Sequence, residues 1–176
     1  YLDRPYYTNP AKARNVGYRI ATGDVVVAQS SDTIHVTSDA LEKLAHVEPG
    51  TFNIATVYAL DQQENVTEQL TGDRNRRPLF FLGSLLREDL FAIGGDDEDF
   101  VELGCEDDWF ADRLGRGRNL KPVYREDIIG RHLWHARPTA HWDDRFPMAL
   151  AKLQEKRRAA ESTGVWLAPG APWSLT

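Results

Sequence analysis

The chain has very little cysteine and no long apolar run, and each absence excludes a class of protein. One cysteine in 176 residues excludes an internal disulfide framework and makes a reducing compartment the default. No apolar stretch approaches the length that spans a bilayer. The first ten residues lack the basic and apolar segments of a secretory signal. We therefore expect a cytoplasmic protein with no membrane segment in this chain.

Basic charge is also scarce. The chain has 21 basic and 27 acidic side chains, a net charge of −6, which argues against non-specific binding to nucleic acid. Residues 88–112 hold eleven of the acids and no lysine or arginine, whereas residues 113–145 hold eight lysines or arginines and three of the five histidines. Neighbouring blocks of opposite charge suit a site for a metal cation and an anionic ligand. They also suit two solvated faces without a ligand.

The order of hydrophobic segments predicts an α/β fold. A helix is predicted over 9–22, with Asn9 as N-cap and an inward face of Ala13, Val16, Gly17 and Ile20. The continuous run at 25–27 is typical of a strand buried on both faces of a parallel sheet. Further elements are predicted as strands at 51–60, 79–86, 120–124 and 128–134, a loop at 61–78, and helices at 106–116 and 145–161. We expect one domain over 1–161 with a mostly parallel sheet flanked by helices, followed by an irregular tail over 162–176.

Three groups of residues could carry chemistry. Asp32 follows the first predicted strand, where ligands of open α/β sheets gather and where a carboxylate can hold a hard cation; capping or turn formation is the structural alternative. The acids at 106–108 open a predicted helix, where the helix dipole explains one or two of them and a general base would explain another. His132, His135 and His141 lie within ten residues of one another and could include metal ligands or be structural.

The order of these pieces resembles family 2 glycosyltransferases and the β-1,4-galactosyltransferase group. Residues 13–32, ARNVGYRIATGDVVVAQSSD, resemble the family stretch A-R-N-x-G … A-x-G-D … D-x-D. The pair FLGSLLREDLFAIGGDDEDF and GCEDDWFADRL resembles the later segments G-G-[FWD]-D-E and G-x-E-D-D-x-x-x-x-R-L. IIGRHLWHAR, at 128–137, resembles the galactosyltransferase segment that supplies a metal-binding histidine. The resemblance covers about residues 13–137.

The resemblance implies a GT-A-like fold that lacks the family's opening strands, and we expect the C-terminal two-thirds of that fold. It implies an inverting glycosyltransferase of the hexosyltransferase type, with a nucleotide-sugar donor, a UDP-sugar first, and a carbohydrate or other hydroxyl acceptor. It also implies a divalent cation, Mn²⁺ or Mg²⁺. The alternative is a non-catalytic carbohydrate- or partner-binding module derived from the same fold.

The resemblance also assigns roles to individual residues. Asp32 matches the last carboxylate of D-x-D and, with His135 first and His132 second, would bind the metal. Asp107 would be the catalytic base. The expected substrate-binding residues are Glu106, Asp108, Gly83, Arg14, Asn15 and Trp134.

Overall fold

The structure is a computed structural model that describes residues 9–102, 104–136 and 142–174. These residues group into two compact units that alternate along the chain. The sheet unit comprises residues 23–87 and 120–136, and the helical unit comprises 9–22, 88–102, 104–119 and 142–174. None of the helices in the described ranges combines the length and apolar character needed to cross a membrane.

The sheet unit is built on one six-stranded mixed sheet. Its strands run in the order β1-β5-β3-β6-β2, with β4 also paired to β3, and the bounds are β1 Val25–Gln29, β2 Thr33–His35, β3 Thr51–Leu60, β4 Val66–Thr71, β5 Leu82–Leu86 and β6 Lys121–His132. The short helix α2, Ala40–Leu44, packs its two buried residues on the sheet. The core there is apolar, formed by Ala40, Leu44, Ala55, Val57, Leu82 and Ile128.

The mixed α/β class is confirmed, but the prediction of a mostly parallel sheet is wrong. Among the strands of the described residues, only β3 and β6 pair in parallel, and the other four pairings are antiparallel. The run at 25–27 misled the prediction because β1 lies at one end of the strand order, antiparallel to β5, with only Val26 and Ala28 buried. A run of valines fits a half-buried pleated surface as well as a fully buried one, so the run alone does not decide between them.

Two further predictions for this unit need correction. The segment 61–78 is not wholly a loop, because it contains β4, which forms a hairpin with β3. The polar sequence of β4 did not predict a strand, because the first half of β4 is exposed and therefore lacks the alternation of apolar residues that would mark a buried face. The strands predicted at 120–124 and 128–134 are one strand, β6, with a break in register where Ala55 pairs with Arg125 and Thr56 with Ile129. Extra residues of this kind form a bulge. A bulge interrupts the hydrophobic alternation, so one strand was predicted as two.

The helical unit packs around tryptophan and phenylalanine side chains. Its helices are α1 Ala11–Ile20, α3 Arg87–Ile93, α4 Glu106–Asp112 and α5 Trp142–Thr163. Arg87, the first residue of α3, belongs to the sheet unit. A π-helical turn over Arg113–Gly117 continues α4. One core cluster joins Phe100, Trp109, Leu153 and Trp166. The tail beyond α5 contains no helix or strand in its described part, as predicted, yet Trp166 is buried against Trp109 at a ring separation of 5.6 Å.

Helix α1 is present, but its predicted inward face is wrong. The buried residues are Ala11, Asn15 and Tyr18, whereas Val16 and Ile20 are exposed. The N-cap position is Pro10 and not Asn9 as predicted, but the Asn9 side chain still accepts a hydrogen bond from the Ala11 N–H at 2.9 Å. The helix turns its polar side inward because the helical unit places buried carboxylates there, and apolar periodicity cannot anticipate a polar interior.

Gly83 is the second residue of β5, and it faces closely packed neighbours. A Cβ at this position would meet the Asn53 carbonyl oxygen at 2.6 Å and the Phe80 ring at 3.1 Å. We expect Gly83→Ala to lower the free energy of unfolding by about 1–3 kcal/mol, the usual cost of overpacking. Urea unfolding monitored by circular dichroism measures this difference.

Gly23→Ala is the matched control, because a Cβ there makes only ordinary contact with the Val25 carbonyl oxygen at 3.5 Å. The comparison also tests the substrate-binding role expected for Gly83. Normal stability of Gly83→Ala together with weakened substrate binding would contradict the packing explanation and support the substrate role.

Candidate functional site

Asp32 is held in a tight connection between two strands of the sheet unit. It follows β1 and precedes β2, whose residue Thr33 pairs with His132 of β6. The Leu133 N–H donates a hydrogen bond to the Asp32 carbonyl oxygen at 2.7 Å, which ties the connection to the end of β6. The Ser30 hydroxyl donates to Asp32 Oδ1 at 2.6 Å. Ser30 thus orients the Asp32 carboxylate.

The structure brings Asp32, His132 and His135 together, although about 100 residues separate the aspartate from the histidines. Asp32 Oδ1 lies 3.3 Å from His132 Nε2, and Oδ2 lies 3.1 Å from His135 Nε2. One ligand atom from each of the three residues lies within 4.8 Å of the other two. Two atoms that each bind one cation at about 2.0–2.6 Å can lie up to about 4–5 Å apart, so separations within 4.8 Å are compatible with one shared ion.

Electrostatics favour the charged form of Asp32. Its partial burial opposes ionisation, but the hydrogen bond from Ser30 and the neighbouring His132 and His135 together lower the pKa of its carboxyl. The His132 ring also packs against the Phe81 ring in a T-shaped arrangement, with a ring separation of 5.2 Å. Asp32 is therefore an anionic carboxylate beside two imidazoles.

The donor set distinguishes among metals. Magnesium prefers oxygen ligands in octahedral geometry, whereas imidazole suits zinc, iron, copper and nickel, and carboxylate suits manganese. One carboxylate with two imidazoles therefore fits Mn²⁺ or Zn²⁺ better than Mg²⁺. His141, the third histidine of the sequence cluster, lies outside the described residues.

Two predicted substrate-binding residues of the sheet unit have different surroundings. Trp134 lies between the two histidines in sequence and is 48% exposed, so its ring is available to a ligand. Gly83 is buried within the sheet, where the closest atoms belong to Asn53 and Phe80. The structure thus gives Gly83 a packing role, while substrate contact at either residue stays a prediction.

The predicted base, Asp107, lies in the helical unit and is paired with Arg14. Arg14 Nη1 donates to Asp107 Oδ1 at 2.7 Å, with both side chains largely buried. Among the described residues, Asp107 Oδ2 has no hydrogen-bond partner. Arg14 therefore fixes the carboxylate while leaving one oxygen available to a hydroxyl. Gly104, just before the helix, has a φ of +100°, which favours glycine over any other residue.

Asn15, next to Arg14, holds the acidic loop that precedes α4. Its side chain donates to the Asp96 carbonyl oxygen at 2.8 Å and accepts from the Asp96 N–H at 2.7 Å. It also donates to the Glu98 carboxylate at 2.9 Å. Arg14 and Asn15, predicted to lie near the donor, are thus both engaged with acidic residues, and donor contact stays a prediction.

Much of the acid-rich stretch has a structural explanation. Lys156 lies 2.7 Å from both Asp97 and Asp99, and the Trp109 indole N–H donates to Asp97 at 2.9 Å. Asp112 pairs with Arg157 at 2.6 Å. These contacts neutralise several of the carboxylates that the sequence concentrates between residues 88 and 112.

Three carboxylate oxygens of the described residues are buried without a hydrogen-bond partner, and one of them, Glu102 Oε2, has the Arg145 guanidinium 3.6 Å away. The other two are Glu106 Oε2 and Asp96 Oδ2. Burial is the main cause that raises the pKa of Glu106 to about 7, with nearby Asp107 adding to it. Burial likewise raises the pKa of Asp96 to about 6, against the opposing charge of Arg14. Glu106 therefore titrates close to neutrality beside the predicted base.

Sequence reasoning assigned no role to Arg113, which is fully buried in this cluster. Its Nη1 donates to the carbonyl oxygens of Ile93 at 3.0 Å and Gly95 at 2.6 Å. Burial lowers the pKa of its guanidinium to about 10, against the charges of Asp96 and Asp97. The available signal was the spacing of Arg113 three and four residues after Phe110 and Trp109, since an arginine on the apolar face of a helix needs buried acceptors.

No known protein-family model matches this chain, and no curated protein matches it. The chemistry of the two clusters is therefore inferred from their own residues and geometry.

The pKa of Glu106 predicts how stability depends on pH. A carboxyl whose pKa is higher in the folded protein binds its proton more tightly there, so its stabilising contribution is present in acid and is lost as the pH rises. For Glu106 the window runs from its ordinary value of 4.5 to about 7. Between pH 5 and pH 8 we expect the unaltered protein to lose on the order of 2 kcal/mol relative to Glu106→Gln. Urea unfolding across this range measures the difference.

Asp108→Asn is the control for this experiment, because Asp108 neighbours Glu106 in the same helical turn but is only half-buried. This variant keeps Glu106, so its stability should fall between pH 5 and pH 8 as that of the unaltered protein does. A constant difference between Glu106→Gln and the unaltered protein would contradict the raised pKa.

Proposed function

We propose that this protein is a metal-dependent, inverting glycosyltransferase that transfers a sugar from a nucleotide-sugar donor to an acceptor hydroxyl. A UDP-sugar is the proposed donor, a carbohydrate is the first choice of acceptor, and the proposed fold is GT-A-like. The observation that carries the proposal is the convergence of Asp32 with His132 and His135. The family resemblance selected these three residues for one cation, and their ligand atoms are close enough to share one.

The catalytic role proposed for Asp107 agrees with its surroundings. The acceptor oxygen would attack the anomeric carbon while Asp107 Oδ2 takes the hydroxyl proton and the bond to the diphosphate oxygen breaks. A carboxylate that performs this step must be oriented, and the 2.7 Å contact with Arg14 does so through the other oxygen. Attack opposite the leaving group inverts the anomeric centre.

The cation would offset the negative charge that develops on the diphosphate leaving group. Asp32, His132 and His135 would hold it, with Ser30 fixing the aspartate by its 2.6 Å hydrogen bond. The mixed oxygen and nitrogen donor set favours Mn²⁺ over Mg²⁺ in this role.

Donor turnover tests the proposal. The protein would be incubated with individual UDP-sugars and Mn²⁺, with and without candidate acceptors, while UDP release is followed. We expect Mn²⁺-dependent UDP release that EDTA abolishes and that His135→Ala removes. We call Asp32, His132 and His135 the metal group. His46→Ala is the matched control, because His46 is an exposed histidine of the same unit outside the metal group.

The non-catalytic alternative gives a different result in the same experiment. A binding module would take up Mn²⁺ and carbohydrate yet release no UDP from any donor, with or without acceptor. That outcome would overturn the catalytic proposal and leave the metal group to a binding function.

A further inference from the structure

An arginine-rich loop on the sheet unit is not used by the proposed chemistry. It follows β4 and comprises residues 72–77, Gly-Asp-Arg-Asn-Arg-Arg. Its three arginines, Arg74, Arg76 and Arg77, are all exposed. Three arginines and one aspartate give the loop a net charge of +2, in a chain whose net charge is −6. The loop is thus a local basic feature on an acidic protein.

Hydrogen bonds from Gln69 and Asn75 hold the loop backbone in place. Gln69 Oε1 accepts from the N–H groups of Arg74 at 2.8 Å and Asn75 at 3.2 Å, and its Nε2 donates to the Asp73 carboxylate at 2.9 Å. The Asn75 side chain donates to the Leu70 carbonyl oxygen at 2.8 Å. The Tyr124 hydroxyl of β6 donates to the Arg76 carbonyl oxygen. A loop with so many backbone anchors presents its side chains from a fixed base.

The charges of Arg74 and Arg76 are only weakly compensated by the described residues. Among the described residues, no carboxylate lies within 4.0 Å of the guanidinium of Arg74 or Arg76. The nearest acid in sequence, Asp73, is hydrogen-bonded to Gln69, and the Arg74 charge is one of the smaller causes that lower the pKa of its carboxyl. The Arg76 guanidinium lies 5.7 Å from the centre of the Tyr124 ring. Two guanidinium groups therefore remain available to an external anion.

The loop starts close to the metal group on the same sheet. Thr71, which ends β4, pairs with Val57 of β3, and Val57 pairs with Gly130, two residues before His132 on β6. Two strand spacings and two residues along a strand correspond to about 12 Å between backbone positions. A ligand chain of modest length could contact both places.

From these observations we propose that the 72–77 loop binds an anionic polysaccharide, through carboxylate or other acidic groups on its sugars. Guanidinium groups match such oxyanions with paired hydrogen bonds. A bilayer is a poorer fit, because membrane-surface segments add apolar side chains that insert and residues 72–77 have none. Nucleic acid is also a poorer fit, because it needs a broad basic face rather than one short loop. The binding of this polysaccharide to the loop does not depend on the proposed function. Its further role as the acceptor rests on the proposed function.

A binding experiment without turnover tests the inference. Fluorescently labelled polygalacturonate, an acidic polysaccharide, would be titrated with the protein at low and moderate salt, with neutral dextran as the comparison. We expect binding to polygalacturonate that weakens with salt, and none to dextran. The double variant Arg74→Gln/Arg76→Gln should lower the affinity at least about tenfold, since it removes two charge-assisted contacts.

The control is Arg116→Gln/Arg158→Gln, which removes the same net charge from exposed positions of the helical unit. An equal loss in this control would overturn the inference, because net charge alone would then explain binding. Binding to vesicles of phosphatidylglycerol and phosphatidylcholine, with none to polygalacturonate, would overturn it in favour of a membrane surface. Binding of polygalacturonate should persist in the presence of EDTA, which separates this inference from the proposed metal chemistry.

Discussion

Replacing Asp107 with asparagine is expected to lower sugar transfer by roughly 10²–10⁴-fold, the usual contribution of general acid–base catalysis. The substitution keeps the size of the side chain and removes the basic oxygen. Asparagine can still accept a hydrogen bond from Arg14, which now donates to Asp107 at 2.7 Å, so local structure should persist. Steady-state transfer by each variant, beside titrations of donor and Mn²⁺, is the measurement. Donor and metal binding should be unchanged.

Glu106→Gln and Asp108→Asn are the matched variants for this experiment. If they serve acceptor binding or local structure, they should affect transfer less than Asp107→Asn. Glu106 is the alternative candidate for the base, because its pKa is about 7 and an efficient base has a pKa near the working pH. A loss confined to Glu106→Gln, with near-normal turnover in Asp107→Asn, would move the base to Glu106. Equal losses in all three would mean that the triplet acts through the structure of α4.

Removing the Asp32 carboxylate is expected to have the second large effect, on metal binding. Asp32→Ala should weaken Mn²⁺ binding by more than about 100-fold, because even the outer hydrogen-bond partners of metal ligands are worth about 10–100-fold. Ser30 is such a partner, through its 2.6 Å hydrogen bond to Asp32, so Ser30→Ala should lose about 10-fold. Isothermal titration calorimetry with Mn²⁺, Zn²⁺ and Mg²⁺ measures these changes.

Asp39→Ala is the control, because Asp39 is another carboxylate of the sheet unit, paired with Lys43 at 3.2 Å and outside the metal group. It should bind Mn²⁺ as the unaltered protein does. Equal affinity in Asp32→Ala and the unaltered protein would remove Asp32 from the metal site. Tighter binding of Mg²⁺ than of Mn²⁺ would contradict the preference inferred from two imidazole donors.

Secondary structure was predicted well where an element is largely apolar and uncharged. The strand predicted at 51–60 matches β3, Thr51–Leu60, which has no charged residue and buries eight of its ten residues. Prediction failed where polar residues form an element or line an interior. The exposed strand β4 read as a loop, and α1 buries Asn15 while exposing Val16 and Ile20.

Several residues of both clusters could be named from the sequence, but most of their contacts could not. Asp32, His132, His135 and Asp107 stand in recognisable local patterns. Arg14 and Asn15 were also named, but as substrate-binding residues, and their contacts with Asp107 and Asp96 span 93 and 81 residues of the chain. No local pattern records such a contact.

The sequence by itself determined the α/β class, the absence of a disulfide framework and the identity of the candidate metal ligands. These follow from composition, from local periodicity and from motif resemblance, which depend only on neighbouring residues. The tertiary structure alone decided the direction of the strands, the proximity of Asp32 to the two histidines, and the burial that raises the pKa of Glu106. Each of these depends on which distant segments pack together, because pairing direction, ligand distance and desolvation are properties of contacts across the chain.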